Sequence, residues 1–249
     1  MPDQGPGQNE ILCVIPARAG SKGIPGKNVV DFAGKPLVAW SIEAALAAPA
    51  ASQVIVSTES DEIAAIARAW GAETPFARPQ NLAQDHVHAV HSVLHALRWH
   101  EEVKGYLPQG AMMLLPTSPL RRARHVQQAA EMFLAQQASA VIGVVDLGKH
   151  MTNLRHLHGD RLERVAPEVS PNQQRQGTAP LFGVSGAMFL ARADLLIAQE
   201  TFHLDGALGY VMSAQSAVDV NLPEDLHLAR WLQRAGWSDA VLRTDGSPS

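Results

Sequence analysis

Ile11-Leu12-Cys13-Val14-Ile15 is an unbroken apolar run that stops abruptly in a loop holding Gly20, Gly23, Pro25 and Gly26. Five apolar residues without alternation suit a strand covered on both faces, which calls for a sheet with a layer on either side. The loop also carries Arg18, Lys22 and Lys27 within ten residues. Glycines let backbone N–H groups converge on an anion, and three cations suit more negative charge than one phosphate bears. The stretch reads as a cradle for a triphosphate, with a basic surface loop as the plainer alternative. Ligands of open α/β sheets sit beyond the carboxyl ends of strands, where this loop begins, and that favours the cradle. Its spacing matches neither G-x-x-x-x-G-K-[ST] nor G-x-G-x-x-G, which disfavours a P-loop NTPase and a Rossmann dehydrogenase.

Downstream, helical and strand patterns alternate. Pro36 opens a helix that Pro49 stops, and Val54 to Thr58 is a strand. Ser60 caps a helix to Trp70 that ends at Gly71, and Glu73 to Phe76 fits a short strand. The next helix is expected from Asp85 towards Glu102. His88, His91 and His95 would then share one face, either gathering a metal or merely solvated. Ala111 to Leu115 is a buried strand ended by Pro116-Thr117-Ser118-Pro119-Leu120-Arg121. A helix through Gln137 and a strand from Ala140 to Val145 follow. After a looser stretch, strands are expected at Val184–Leu190, Gly209–Met212 and Ala217–Asn221, and a closing helix starts near Pro223. This order predicts an α/β fold, a Rossmann-like and mostly parallel twisted sheet flanked by helices.

At 249 residues the chain suits one domain, expected over 11–236, with a disordered leader at 1–10 and a frayed tail at 237–249. Twenty basic against 24 acidic residues, a net charge of −4, gives no support for a general nucleic-acid or membrane surface. No apolar run reaches the length of a membrane span, and the single cysteine, Cys13, falls in the first strand, so a reducing cytoplasm is the simplest setting. Residues 146–180 mix scattered cations with turn residues, which fits a functional or interaction arm, or a free loop. Asp219 precedes the last helix and is either a magnesium ligand or a helix cap.

Pro16-Ala17-Arg18-Ala19-Gly20-Ser21-Lys22-Gly23-Ile24-Pro25, followed by Lys27-Asn28, resembles the signature of the acylneuraminate cytidylyltransferases. The Pro116 to Arg121 turn and Asp219-Val220-Asn221-Leu222-Pro223-Glu224-Asp225-Leu226 resemble two further motifs of that family. The resemblance implies a nucleotide-diphospho-sugar transferase type of fold, with residues 146–180 as an arm that pairs two subunits in a homodimer. It implies that Arg18, Ser21, Lys22 and Lys27 hold the triphosphate of CTP. Asn28, Arg78 and backbone around Ala17 would address the cytidine, and Asp219 and Asn221 would hold Mg2+. Arg175, Gln176 and Ser185 would meet the acid sugar. The implied reaction joins CTP to a 2-keto-3-deoxy sugar acid, giving a CMP-sugar and pyrophosphate.

Several positions depart from the family pattern. Asn221 stands where a second aspartate is usual, Leu115 where glutamine is common, and Ala89 where a base-contacting serine is expected. Ser185 replaces an asparagine, and Asn172 falls near the place of a sugar-binding glutamate. An apolar side chain cannot replace an amide hydrogen bond, so a legionaminate, pseudaminate or other acidic acceptor is credible beside N-acetylneuraminate. Other readings are a cytidylyltransferase for KDO, one for a different small acid or phosphonate, and a nucleotide-binding homologue without catalysis.

Overall fold

The computed structural model describes residues 7–148, 151–167 and 180–236. The apolar run forms β1 (Ile11–Pro16), with Ile11 to Ile15 at most 1% exposed. The chain continues through β2 (Asp31–Phe32), β3 (Lys35–Pro36), α1 (Leu37–Leu46), β4 (Gln53–Ser57), α2 (Asp61–Ala69), α3 (Val90–Lys104), β5 (Gly110–Met113) and α4 (Ala123–Ala135). Then come β6 (Ala140–Asp146), the hairpin β7 (Arg155–His158) and β8 (Arg161–Arg164), β9 (Phe182–Arg192), α5 (Ala193–Gln199), β10 (Leu208–Met212) and α6 (Pro223–Arg234).

Six strands form one sheet in the order β10-β6-β9-β5-β1-β4. All are parallel except β9, which runs antiparallel to both β5 and β6. Because side chains alternate across a strand, β1 feeds two cores. Ile11, Cys13 and Ile15 join Val38 and Ile42 of α1 and Val126 and Phe133 of α4. Leu12 and Val14 join Val93 and Leu97 of α3 and Leu196 of α5. Each such burial contributes about 1.5–3 kcal/mol, which is why both faces of this strand had to be apolar. A third cluster, including Phe32, Leu120, Val220 and Leu226, seats α6 beside the cradle loop.

Ser60 caps α2 as expected, its Oγ accepting the Ile63 N–H at 3.3 Å. Other expectations need correction. Residues 73–76 make only a single bridge, Ile55 to Glu73. α3 begins at Val90 and not at Asp85, since the Asp85 carboxylate is taken by Arg18 and Lys22 and caps no helix. His88 therefore precedes the helix, and His95 packs edge-on against Phe76 with ring centroids 4.5 Å apart. Residues 217–221 are a loop, their N–H groups spent on turn bonds and on the Thr117 carbonyl. The leader expected over 1–10 is docked from Gly7, whose carbonyl accepts the Gln109 N–H at 2.8 Å. Within the 146–180 stretch, β7 and β8 form an exposed antiparallel hairpin with Leu157 opposite Leu162.

Candidate functional site

The carboxyl ends of β1 and β5 open onto one cleft of about 280 Å³. Arg18, Ser21, Lys27, Asn28, Arg78, Asp219 and Asn221 all line it, so the cradle, the late acidic motif and Arg78 meet as expected. Gln84, Asp85, Ser92, Leu115 and Thr117 complete much of the wall.

The cradle is shaped by its own hydrogen bonds. Gly26 starts the Lys27–Val29 turn at φ 61, a left-handed conformation that favours glycine. The turn aims Lys27 across the cleft, where Nζ donates to the Val220 carbonyl at 2.9 Å and to Asn221 Oδ1 at 3.3 Å. Burial lowers the Lys27 pKa, with Arg18 adding to the effect and Asp219 and Asp225 opposing it. Asn28 donates from Nδ2 to the Arg18 carbonyl at 2.8 Å and so ties the two ends of the loop together. Gly23 packs directly on the Asn221 carbonyl, and a Cβ there would lie 2.1 Å from that oxygen.

Asp219 faces the cradle from its loop. Asn221 Nδ2 donates to Asp219 Oδ2 at 2.7 Å, while Oδ1 is buried and has no hydrogen-bond partner. An orphaned carboxylate oxygen beside the cradle cations suits a hard divalent ion, which takes one or two protein oxygens and draws the rest from phosphate and water. Asn221 fits that role less directly, since its Oδ1 already accepts from Lys27. Gly186 lies beneath, where a Cβ would come 3.5 Å from both Asp219 Cγ and Leu115 Cδ1.

Two cradle cations already have an anionic partner. Asp85 Oδ1 lies 2.5 Å from Arg18 Nη1, and Oδ2 lies 2.9 Å from Lys22 Nζ. The Lys22 and Arg18 hydrogen bonds hold the Asp85 carboxyl below the usual aspartate range. Lys22 stands at the rim, its side chain 81% exposed. On the opposite wall Arg78 is 5% exposed and donates to Ser92 Oγ at 3.0 Å and to Glu59 Oε2 at 2.5 Å.

Some expected site residues lie elsewhere. Ala17 is buried outside the cleft lining, and its N–H already bonds the Ser57 carbonyl at 3.0 Å. Ser185 is also buried and does not line the cleft; its Oγ turns to Met212 Sδ at 3.8 Å, beside Gly143, where β6 slips register against β9. Arg175, Gln176 and Asn172 lie outside the described residues. Sequence reasoning missed Asp85, Glu59 and Ser92. Glu59 had a usable signal, since it follows β4 at the same ligand edge of the sheet as the cradle.

A cation-lined cleft at the carboxyl edge of a mostly parallel sheet defines a nucleotide-binding α/β protein. Residues 12–160 match the Cytidylyltransferase family. The chain is 31% identical to the CMP-N,N'-diacetyllegionaminic acid synthase of Legionella pneumophila, covering 89% of this chain and 95% of that one. It is 26% identical to a pseudaminic acid cytidylyltransferase of Campylobacter jejuni, covering 92% and 98%. With the N-acylneuraminate cytidylyltransferase of Escherichia coli it shares 29% identity over 91% of this chain and 53% of that one. In fold it is similar to a CMP:2-keto-3-deoxy-manno-octonic acid synthetase complexed with CTP, with a TM-score of 0.67 at 17% identity over 92% and 100% of the two chains. This chain belongs to the cytidylyltransferase family and is a nucleotidyltransferase.

Proposed function

We propose that this enzyme transfers CMP from CTP to the anomeric hydroxyl of a sialic-acid-like nonulosonate, a 2-keto-3-deoxy sugar acid, and releases pyrophosphate. The observation that carries the reading is the unpartnered Asp219 Oδ1 in a cleft that also receives Arg18 and Lys27. Arg18, Ser21, Lys22 and Lys27 bind the triphosphate, and Asn28 and Arg78 address the cytosine end. Magnesium bound at Asp219 would neutralise phosphate charge. The hydroxyl oxygen bonds to the α-phosphorus, the bond from that phosphorus to the β-bridging oxygen breaks, and the hydroxyl proton passes to solvent. Lys27 holds the positive charge that the leaving pyrophosphate needs.

The sugar class is supported by the relatives named above, whose names specify legionaminic, pseudaminic and acylneuraminic acids. The KDO alternative has weaker support, because 17% identity to the KDO synthetase speaks for fold alone. Arg175 and Gln176 are assigned to the sugar carboxylate by resemblance. We assign homodimer formation to the exposed β7–β8 hairpin, and a cytoplasmic setting accords with the buried free thiol of Cys13.

Pyrophosphate release with CTP, magnesium and a panel of sugar acids tests the reading. Turnover is expected with CTP and at least one nonulosonate. Turnover with UTP or ATP in place of CTP, or none with any acid, rejects it.

A further inference from the structure

Glu59 lies behind the cleft wall and touches both ends of the site. Its Oε1 accepts the N–H of Ala19, in the cradle loop, at 2.8 Å. Its Oε2 accepts from Arg78 Nη2 at 2.5 Å, and the two side chains are only 10% and 3% exposed. Arg78 passes the connection on, donating from Nη1 to Ser92 Oγ at 3.0 Å, and Ser92 lines the cleft. Arg78 Nε is buried with no hydrogen-bond partner.

A carboxylate suits this place for a simple reason. Both neighbours are donors, and only an ionised carboxylate offers an accepting oxygen to each. Glutamine has one accepting oxygen and an amide that would face a donor, so one of the two ties must break. The negative charge also compensates a buried guanidinium that has no other anion within bonding distance among the described residues.

We infer that Glu59 is a positioning residue that couples recognition of the base at Arg78 to the shape of the phosphate loop at Ala19. The inference rests on the cytidylyltransferase reading of the cleft. Without the bridge, loop and wall would bind their two parts of the nucleotide independently. With it, a change on one side alters binding on the other.

The test uses the full chain as wild type, Glu59→Gln and Ala19→Pro, with Asp194→Asn as control. Asp194 pairs with Arg192 in an exposed ion pair. Ala19→Pro removes the other donor at an exposed loop position, so a folded variant remains available if Glu59→Gln does not fold. Binding of CTP, UTP, cytidine and inorganic tripolyphosphate is followed by calorimetry or NMR titration, with melting temperatures measured separately. Glu59→Gln is expected to weaken CTP at least tenfold, to weaken cytidine and tripolyphosphate alike, and to reduce the preference for CTP over UTP at least fivefold. Ala19→Pro is expected to weaken cytidine, although cytidine carries no phosphate. Asp194→Asn should change none of these.

If Glu59→Gln lowers only the melting temperature, or Ala19→Pro leaves cytidine binding unchanged, the coupling is absent and Glu59 is merely structural. A wild type with no preference for CTP overturns the reading underneath instead, and the two failures are thus distinguishable.

Discussion

The N–H of Val220 donates to the carbonyl of Thr117 at 2.7 Å, so the loop that carries Asp219 hangs from the turn that ends β5. That turn is itself held by Arg121, which is 3% exposed and donates to the carbonyls of Leu115 and Ala187 and to Ser41 Oγ. Burial pushes the Arg121 guanidinium down to about 10, far enough from neutrality for it to stay charged. Arg121→Met removes these donors and leaves buried carbonyls unpaired, a loss of roughly 3 kcal/mol. For a chain of this size that lowers the melting temperature by about 6–12 °C, which calorimetry can check.

Under the proposed assignment, Asp219→Asn and Lys27→Ala act on the reaction and not on the core. Each should lower kcat by about 10²–10³ with little change in melting temperature. Unaltered turnover in both variants removes these residues from the assignment.

Asp85 pairs with Arg18 and Lys22, the cations proposed to hold the triphosphate. Asp85→Asn should therefore tighten CTP binding by about threefold to tenfold at low salt, with the gain shrinking as ionic strength rises. Weaker binding in the variant would mean that Asp85 arranges the loop and does not compete with phosphate.

His125 supplies a pH dependence. Burial, then the charges of Arg124, Arg121 and Arg122, lower its pKa to about 4, and its Nδ1 accepts the Arg122 N–H at the start of α4. A depressed folded-state value means that the unfolded chain binds the proton more readily. Stability is thus full above about 6.5 and declines as pH falls through about 4. Denaturant melts across that window should show the decline, and His125→Gln should flatten it. The Glu59 and Asp225 carboxyls add losses at lower pH. Burial alone would raise Glu59, yet the bonds from Ala19 and Arg78 bring it below its usual value; the Leu222 and Asn221 N–H groups lower Asp225.

The β7–β8 hairpin leaves Leu157 and Leu162 at 68% and 69% exposed. If this arm joins two copies, Leu157→Asp with Leu162→Asp should shift the mass found by light scattering from dimer to monomer. A wild type that is monomeric at all concentrations ends the proposal.

Much of the fold was legible because burial leaves a pattern in sequence. The double-faced run Ile11–Ile15, the punctuation at Gly71 and the Pro223 helix start each report a local requirement. Misreadings fell where a tertiary bond outweighed local preference. Asp85 looked like a helix start until Arg18 and Lys22 claimed it, and residues 217–221 looked like a strand until Thr117 and Asp225 took their N–H groups.

By itself, the sequence determined the central strand, the cationic glycine loop at its end and the motifs that carry the family resemblance, because these depend on residue type at short spacing. Only the tertiary structure decided that β9 runs antiparallel, that Ser185 turns away from the cleft, and that Glu59 spans from Ala19 to Arg78. Those outcomes depend on which loops meet at one edge of the sheet, and charges brought together from distant segments have no period for a sequence to display.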